Sequence, residues 1–100
     1  MSLVPEDHEA ARDGFTAAAR GCGARLESHP LEGHAGLATD VARLGPEDAG
    51  RLLVILSGIH GNEGLAGSAI QRDTLGRIDA LFAAHGGLPA DFALLMVHAV

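Results

Sequence analysis

The sequence predicts an α/β protein with a mixed, mainly parallel sheet and flanking helices, and three observations carry that prediction. Leu52–Leu56 is an unbroken apolar run of strand length, and "FALLMVHAV", 92–100, is a second. Between them, Gly64–His85 has helical periodicity through Ala66, Ile70, Ile78, Leu81 and Phe82. Strand, helix, strand is a βαβ unit, whose strands run parallel through a right-handed crossover. Strands this uniformly apolar are expected to be buried on both faces.

The remaining elements follow in chain order. Pro5–Arg20 reads as a helix: Pro5 suits a first helical position, Glu6, Asp7 and Glu9 favour the positive end of the helix dipole, and Ala11, Phe15, Ala18 and Ala19 form an apolar stripe. Gly21 and Gly23 stop it. Next, "ARLESHPLEGHAGLATDVARLG" predicts two short strands around a Glu32-Gly33-His34 turn, with Leu37, Thr39 and Val41 alternating with Ala38, Asp40 and Ala42. Pro30 fits an edge position there. Gly45, Pro46 and Gly50 make the loop into the first apolar strand, and Gly86, Gly87 and Pro89 end the long helix, within which Gly76 is a weak spot.

The 100 residues suit one domain, 1–100, able to bury about 65% of its unfolded surface. Two helices are too few to cover two doubly buried strands on both faces. The sheet therefore reads as incomplete, either the N-terminal portion of a larger α/β protein or one finished by a partner subunit. An unfinished edge would also invite homo-oligomeric association. The net charge of −6, with no cluster of Lys or Arg, argues against nucleic acid and anionic membranes as partners. Cys22 alone excludes an internal disulfide and suits a reducing compartment, where it reads as an inert thiol near a helix end. With no signal-like start and no membrane-length apolar run, the cytoplasm is the expected location.

The segment "SGIHGNEGLAGSAIQ", 57–71, admits three readings. In one, His60 and Glu63 bind zinc from the end of a strand and the first turn of a helix, at the sheet edge where α/β proteins bind ligands, while Ser57, Gly58, Gly61 and Gly64 shape the loop. In another, the glycines cradle phosphate. Their spacing matches neither common phosphate loop, no lysine is near, and Glu63 would repel the anion. In the third, Gly61 makes a turn, Glu63 complements the helix dipole and His60 is an ordinary polar residue. Of the other titratable residues, His98 reads as a packed or solvent-facing strand histidine and only secondarily as a third ligand. His8, His29, His34 and His85 read as solvated, Asp40 as a strand-surface residue and Asp73 as a helix-face residue, neither with a partner to tune it.

The same segment resembles the zinc-site segment of the zinc carboxypeptidase-like metallohydrolases, in particular a bacterial branch known only as a domain of unknown function. Ser57, Gly58, His60, Gly61, Glu63, Gly64, Gly67, Ser68, Ala69 and Gln71 all fall on that pattern. "HPLEGHAGLATDVARLG" and "LLMVHAV" extend the likeness to about residues 15–100. Asn62 makes the core H-G-N-E, which is similar to the related succinylglutamate desuccinylase and aspartoacylase group. The resemblance implies zinc as cofactor, His60 and Glu63 as two of its ligands, and hydrolysis of a small peptide or an N-acyl amino acid by zinc-activated water. In the family, the third ligand, the general-base glutamate and the contacts to the substrate carboxylate come from later segments, so no residue here is assigned as catalytic. A catalytically inert chain acting by association is the alternative from another class, and an anion-binding module is a third.

Overall fold

A computed structural model of the chain describes residues 7–34, 37–58, 63–84 and 86–98, with the backbone alone at 63, 64 and 79. The order is α1 (His8–Gly21), β1 (Arg25–Pro30), β2 (Ala38–Leu44), β3 (Arg51–Ser57), α2 (Glu63–Ala83) and β4 (Phe92–His98).

Helix α1 starts later than Pro5 because Asp7 caps it. Asp7 is extended, at φ −150° and ψ 178°, and its carboxylate accepts the Ala10 N–H at 2.8 Å. At the other end Ala24 N–H donates to the Ala19 carbonyl and Gly23 N–H to that of Arg20. With Gly23 at φ +77°, this is a Schellman cap, which needs the glycine. Ala11, Phe15 and Ala19, one per turn, are the buried stripe. Cys22 is the C-cap, its thiol directed at the Ala19 carbonyl.

The four strands form one sheet in the order β1-β2-β4-β3. β1 and β2 are the expected hairpin, and β3 and β4 are parallel, as the βαβ reading requires. β4, however, lies between β3 and β2 and is antiparallel to β2. The sheet is therefore mixed, with two antiparallel pairings to one parallel, rather than mainly parallel.

Both helices cover the same face. Phe15 and Ala19 of α1, Leu75 and Ile78 of α2, and Ala42, Leu94 and Met96 of the sheet form one core. Residues alternate across a sheet, so β3 turns Leu53, Ile55 and Ser57 toward the helices and Leu52, Val54 and Leu56 away from them. The expectation of double burial for β3 fails on both faces: the second face is uncovered, with Leu52, Val54 and Leu56 standing 51%, 44% and 53% exposed, and at this edge the helices leave Leu53 48% exposed as well. Gly45, at φ +103°, lets the β2–β3 loop pass β4 where any side chain would strike the Phe92 carbonyl.

Candidate metal centre at the carboxyl edge of the sheet

The parallel register pairs Ser57 with His98, so the carboxyl ends of β3 and β4 lie side by side. Because β2 runs the other way, its beginning joins the same edge, with Asp40 paired to His98. The connection 58–62 leaves this edge and α2 begins with Glu63. Gly58, at φ +74°, takes the left-handed conformation that starts the turn. His60 and Gly61 lie outside the described residues. Glu63 and Gly64 are the first two residues of α2, which puts Glu63 at a helix start above the strand ends. Imidazole and carboxylate are both ordinary zinc donors, so the chemistry of the His60 and Glu63 side chains fits zinc.

At these strand ends the core turns polar. Ser57, Ser68, Gln71, His98 and Asp40 are all buried. The Ser57 hydroxyl donates to Gln71 Oε1 at 3.0 Å, and Gln71 Nε2 donates to the carbonyls of Ile55 and Val97, both at 3.2 Å. Of these five residues only Ser57 was singled out by loop position; Ser68 and Gln71 were visible only as letters in a matching pattern.

His98 is packed, the first of the two environments expected of it. It has no exposed surface, and its ring stacks on Phe15 with centroids 4.7 Å apart. Its Nε2 lies 2.7 Å from the Ser68 hydroxyl, while its buried Nδ1 meets no other side chain's polar atom among the described residues. Burial pushes its pKa below the ordinary histidine value, and the nearby Asp40 charge partly opposes this. With Nε2 engaged by Ser68, His98 belongs to the layer under α2.

Asp40 overturns its sequence reading. It is fully buried and partnered: Arg12 Nε donates to it at 2.9 Å, Arg12 Nη2 at 3.4 Å and the Ser28 hydroxyl at 2.5 Å. The hydrogen bond from Arg12 to Asp40 raises the arginine's pKa further. The alternation that puts Ala38 and Ala42 under the helices puts Asp40 there too, and Arg12 reaches in from α1 to meet it. Asp73 also has a partner, Arg77 one turn on, but on an exposed helix face. His8, His29 and His34 are exposed as expected, and His85 lies outside the described residues.

Asp40, His98 and Ser68 follow the order of an acid, base and nucleophile, but their geometry does not support that role. A working base needs its second nitrogen oriented by the acid, and among the described residues no carboxylate bonds His98 Nδ1. Asp40 is occupied by Arg12 and Ser28, and Ser68 is 2% exposed. Among the described residues no three His, Cys, Asp or Glu side chains gather to hold a metal. A shallow depression lined by Arg12, Pro30, Leu31, His34 and Leu37 opens at the same edge, on the hairpin side.

Among the described residues no helix is long and apolar enough to cross a membrane. A family model described as "Protein of unknown function (DUF2817)" matches residues 5–100. No curated protein matches the chain.

Proposed function

Because the chain belongs to the DUF2817 family, whose function is unknown, we propose that it carries a two-donor portion of a zinc-dependent, carboxypeptidase-like site that hydrolyses peptide or amide bonds in the cytoplasm. What supports this reading is the H-x-x-E pattern in the sequence between a parallel strand and the helix that follows it: β3 ends at Ser57, at the carboxyl edge of the β3–β4 pair, and α2 begins at Glu63. His60 and Glu63 would hold the ion, and Ser57, Gly61 and Gly64 would shape the loop around it. Bound zinc supplies Lewis acidity toward a carbonyl and lowers the pKa of a coordinated water. Neither the third ligand nor the proton-moving base is assigned to this chain, so hydrolysis by the 100 residues alone is expected to be weak or absent. A small peptide is the substrate class favoured, with an N-acyl amino acid the alternative.

Calorimetric zinc titration of the metal-stripped chain beside its His60→Ala variant tests this reading. A binding heat present in the parent and lost in the variant is expected; equal heats in the two would overturn it.

A second reading, association, draws support from the uncovered apolar face of β3. Leu52, Val54 and Leu56 form an exposed apolar stripe on a strand that, among the described residues, has no partner strand on its outer side.

A further inference from the structure

The two edges of the sheet are protected differently. β1 places Arg25, Glu27, His29 and Pro30 along its edge, charged and proline residues of the kind that discourage further strand pairing. β3, at the other edge, carries no charge and no proline from Leu52 to Leu56, and among the described residues no strand pairs with its outer side. Exposed large apolar side chains gather around this same edge. Among the described residues, Leu52, Leu53, Val54, Leu56, Ile70 and Leu81 belong to β3 or to the helix above it, and only Leu31 lies elsewhere.

Helix geometry shows which flank of α2 is involved. α1 packs over β1 and β2, and α2 lies beside it with β3 beneath. Arg72 is on the flank that faces α1, because its side chain lies 3.1 Å from where a Cβ on Gly14 would stand. Ile70 is about 200° around the helix from Arg72, and Leu81 returns to within about 20° of Ile70, so both lie on the flank away from α1, above the open edge of β3. They are 67% and 53% exposed. This distribution selects the occupant. A helix laid on the uncovered face of the sheet would reach Leu52, Val54 and Leu56 but leave Leu53, Ile70 and Leu81 in water. A strand beside β3 that brings its own helix layer covers all six, and a second copy of this chain supplies both. Charge permits the meeting: Leu52–Leu56 contributes none, and Asp73 and Arg77, on the same flank as Ile70, are paired with each other, so a chain of net charge −6 brings little of its charge to this seam.

We propose that the open edge of β3 and the overhanging flank of α2 form a two-fold interface with a second copy of this chain, in which β3 pairs antiparallel with its own counterpart about Val54. The proposal rests on the association reading and gives it a partner and a register. Val54 lies opposite its counterpart, Leu52 opposite Leu56, Leu53 opposite Ile55 and Arg51 opposite Ser57, so the whole of β3 is paired and no arginine meets another. This register keeps the helix layers of both copies on one side of a continuous sheet, whereas a slip by one residue would turn the second copy over and part the α2 flanks. The strand extends about 23 Å and the sheet with its helix layer is about 15 Å deep, so two copies bury roughly 700 Å², short of the ~1,200 Å² of a stable complex. The dimer is therefore a weak one that forms and parts with concentration.

Sedimentation equilibrium of the full chain from about 10 µM to about 1 mM tests association, and cross-linking tests the register. Val54→Lys sets two ammonium groups opposite each other at the centre of the seam. Leu31→Lys makes the same change at the exposed apolar residue outside it. In a Cys22→Ser background, Val54→Cys places a thiol opposite its own copy with Cα atoms about 4.5–5.5 Å apart, which a disulfide can bridge under oxidised glutathione. The thiols of Leu56→Cys alone would stand about 14 Å apart, whereas Leu56→Cys mixed with Leu52→Cys brings two together. Circular dichroism verifies that each variant is folded. Expected are a monomer–dimer equilibrium in the parent, a loss of dimer affinity of about tenfold or more in Val54→Lys, and a loss below about twofold in Leu31→Lys. Covalent dimer is expected from Val54→Cys and from the Leu52→Cys and Leu56→Cys mixture, but not from Leu56→Cys alone. If Val54→Lys does not fold, the cross-linking series decides. Dimers that Val54→Lys leaves intact, an equal loss in Leu31→Lys, or equal cross-linking by Leu56→Cys alone would overturn this seam while keeping the association reading. So would growth beyond the dimer, which a closed two-fold contact does not allow. A monomeric mass at every concentration would remove both.

Discussion

The helix–sheet layer changes character along the length of β4. Toward the start of the strand, Leu94 and Met96 meet Leu75 and Ile78, with Phe82, Phe92 and Leu44 packed around them. Toward its end the same layer holds His98, Ser68, Gln71, Ser57 and Asp40, with the Phe15 ring stacked on His98. The apolar end supplies most of the stability, because burying each large side chain contributes about 1.5–3 kcal/mol, against about 0.5–1.5 kcal/mol net for a hydrogen bond. The polar end supplies direction, and it lies at the carboxyl ends of β3 and β4. Apolar burial and directional polar contacts are thus assigned to opposite ends of one interface.

The contrast can be broken most forcefully at its apolar end. Leu75→Ala opens a cavity among well-packed neighbours and is expected to cost about 2–5 kcal/mol, read from the midpoint of urea unfolding. Gln71→Met, at the polar end, strands two carbonyls and the Ser57 hydroxyl, and should cost about 1–3 kcal/mol in the same experiment. A cost for Gln71→Met above that for Leu75→Ala would reverse the assignment of roles.

A smaller effect depends on pH. The folded-state pKa of His98 lies below its unfolded value near 6.5, so the unfolded chain binds this proton first as the solution is acidified. The stability associated with neutral His98 is therefore present above pH 6.5 and lost as the pH falls below it toward the lowered folded value. Asp40 opposes the shift, whereas Arg12 and His8 add to it. The slope from one proton cannot exceed about 1.4 kcal/mol per pH unit. Unfolding free energies at pH 7.5, 6.5 and 5.5 should show this slope in the parent and a flatter one in His98→Gln. Parallel curves would assign the acid sensitivity elsewhere.

The smallest effect on stability is expected at the uncovered face. Val54→Lys projects away from the helices, from a residue already half exposed, and should change stability by no more than about 0.5 kcal/mol. The same substitution should reduce self-association measured by light scattering, because a charge on a flat apolar edge opposes strand pairing. Unchanged scattering would dissociate the edge from association.

The two edge strands show why some of this was legible and some was not. β1 carries Arg25, Glu27, His29 and Pro30, which mark an edge in any sequence, and an edge is what the structure shows. β3 carries the apolar run of an interior strand and is nonetheless an edge here. The motif around His60 was legible because glycines, a histidine and a glutamate at fixed spacing stand out locally. Gln71 was not, because a glutamine on a helix announces nothing until the strands it spans are known. Asp40 misled for a related reason: alternation shows that two faces exist but does not say which is covered, and small alanines beside it gave little hint that theirs was the buried one.

The sequence by itself determined the kinds of element and their approximate limits, the hairpin, the βαβ unit and the turn glycines, because helix and strand periodicity, caps and turns are interactions among near neighbours in the chain. Only the tertiary structure decided that β4 inserts between β2 and β3, that both helices lie on one face, and that a polar cluster forms at the carboxyl ends of β3 and β4. Those outcomes depend on which distant surfaces meet, and that is a property of the whole packed chain.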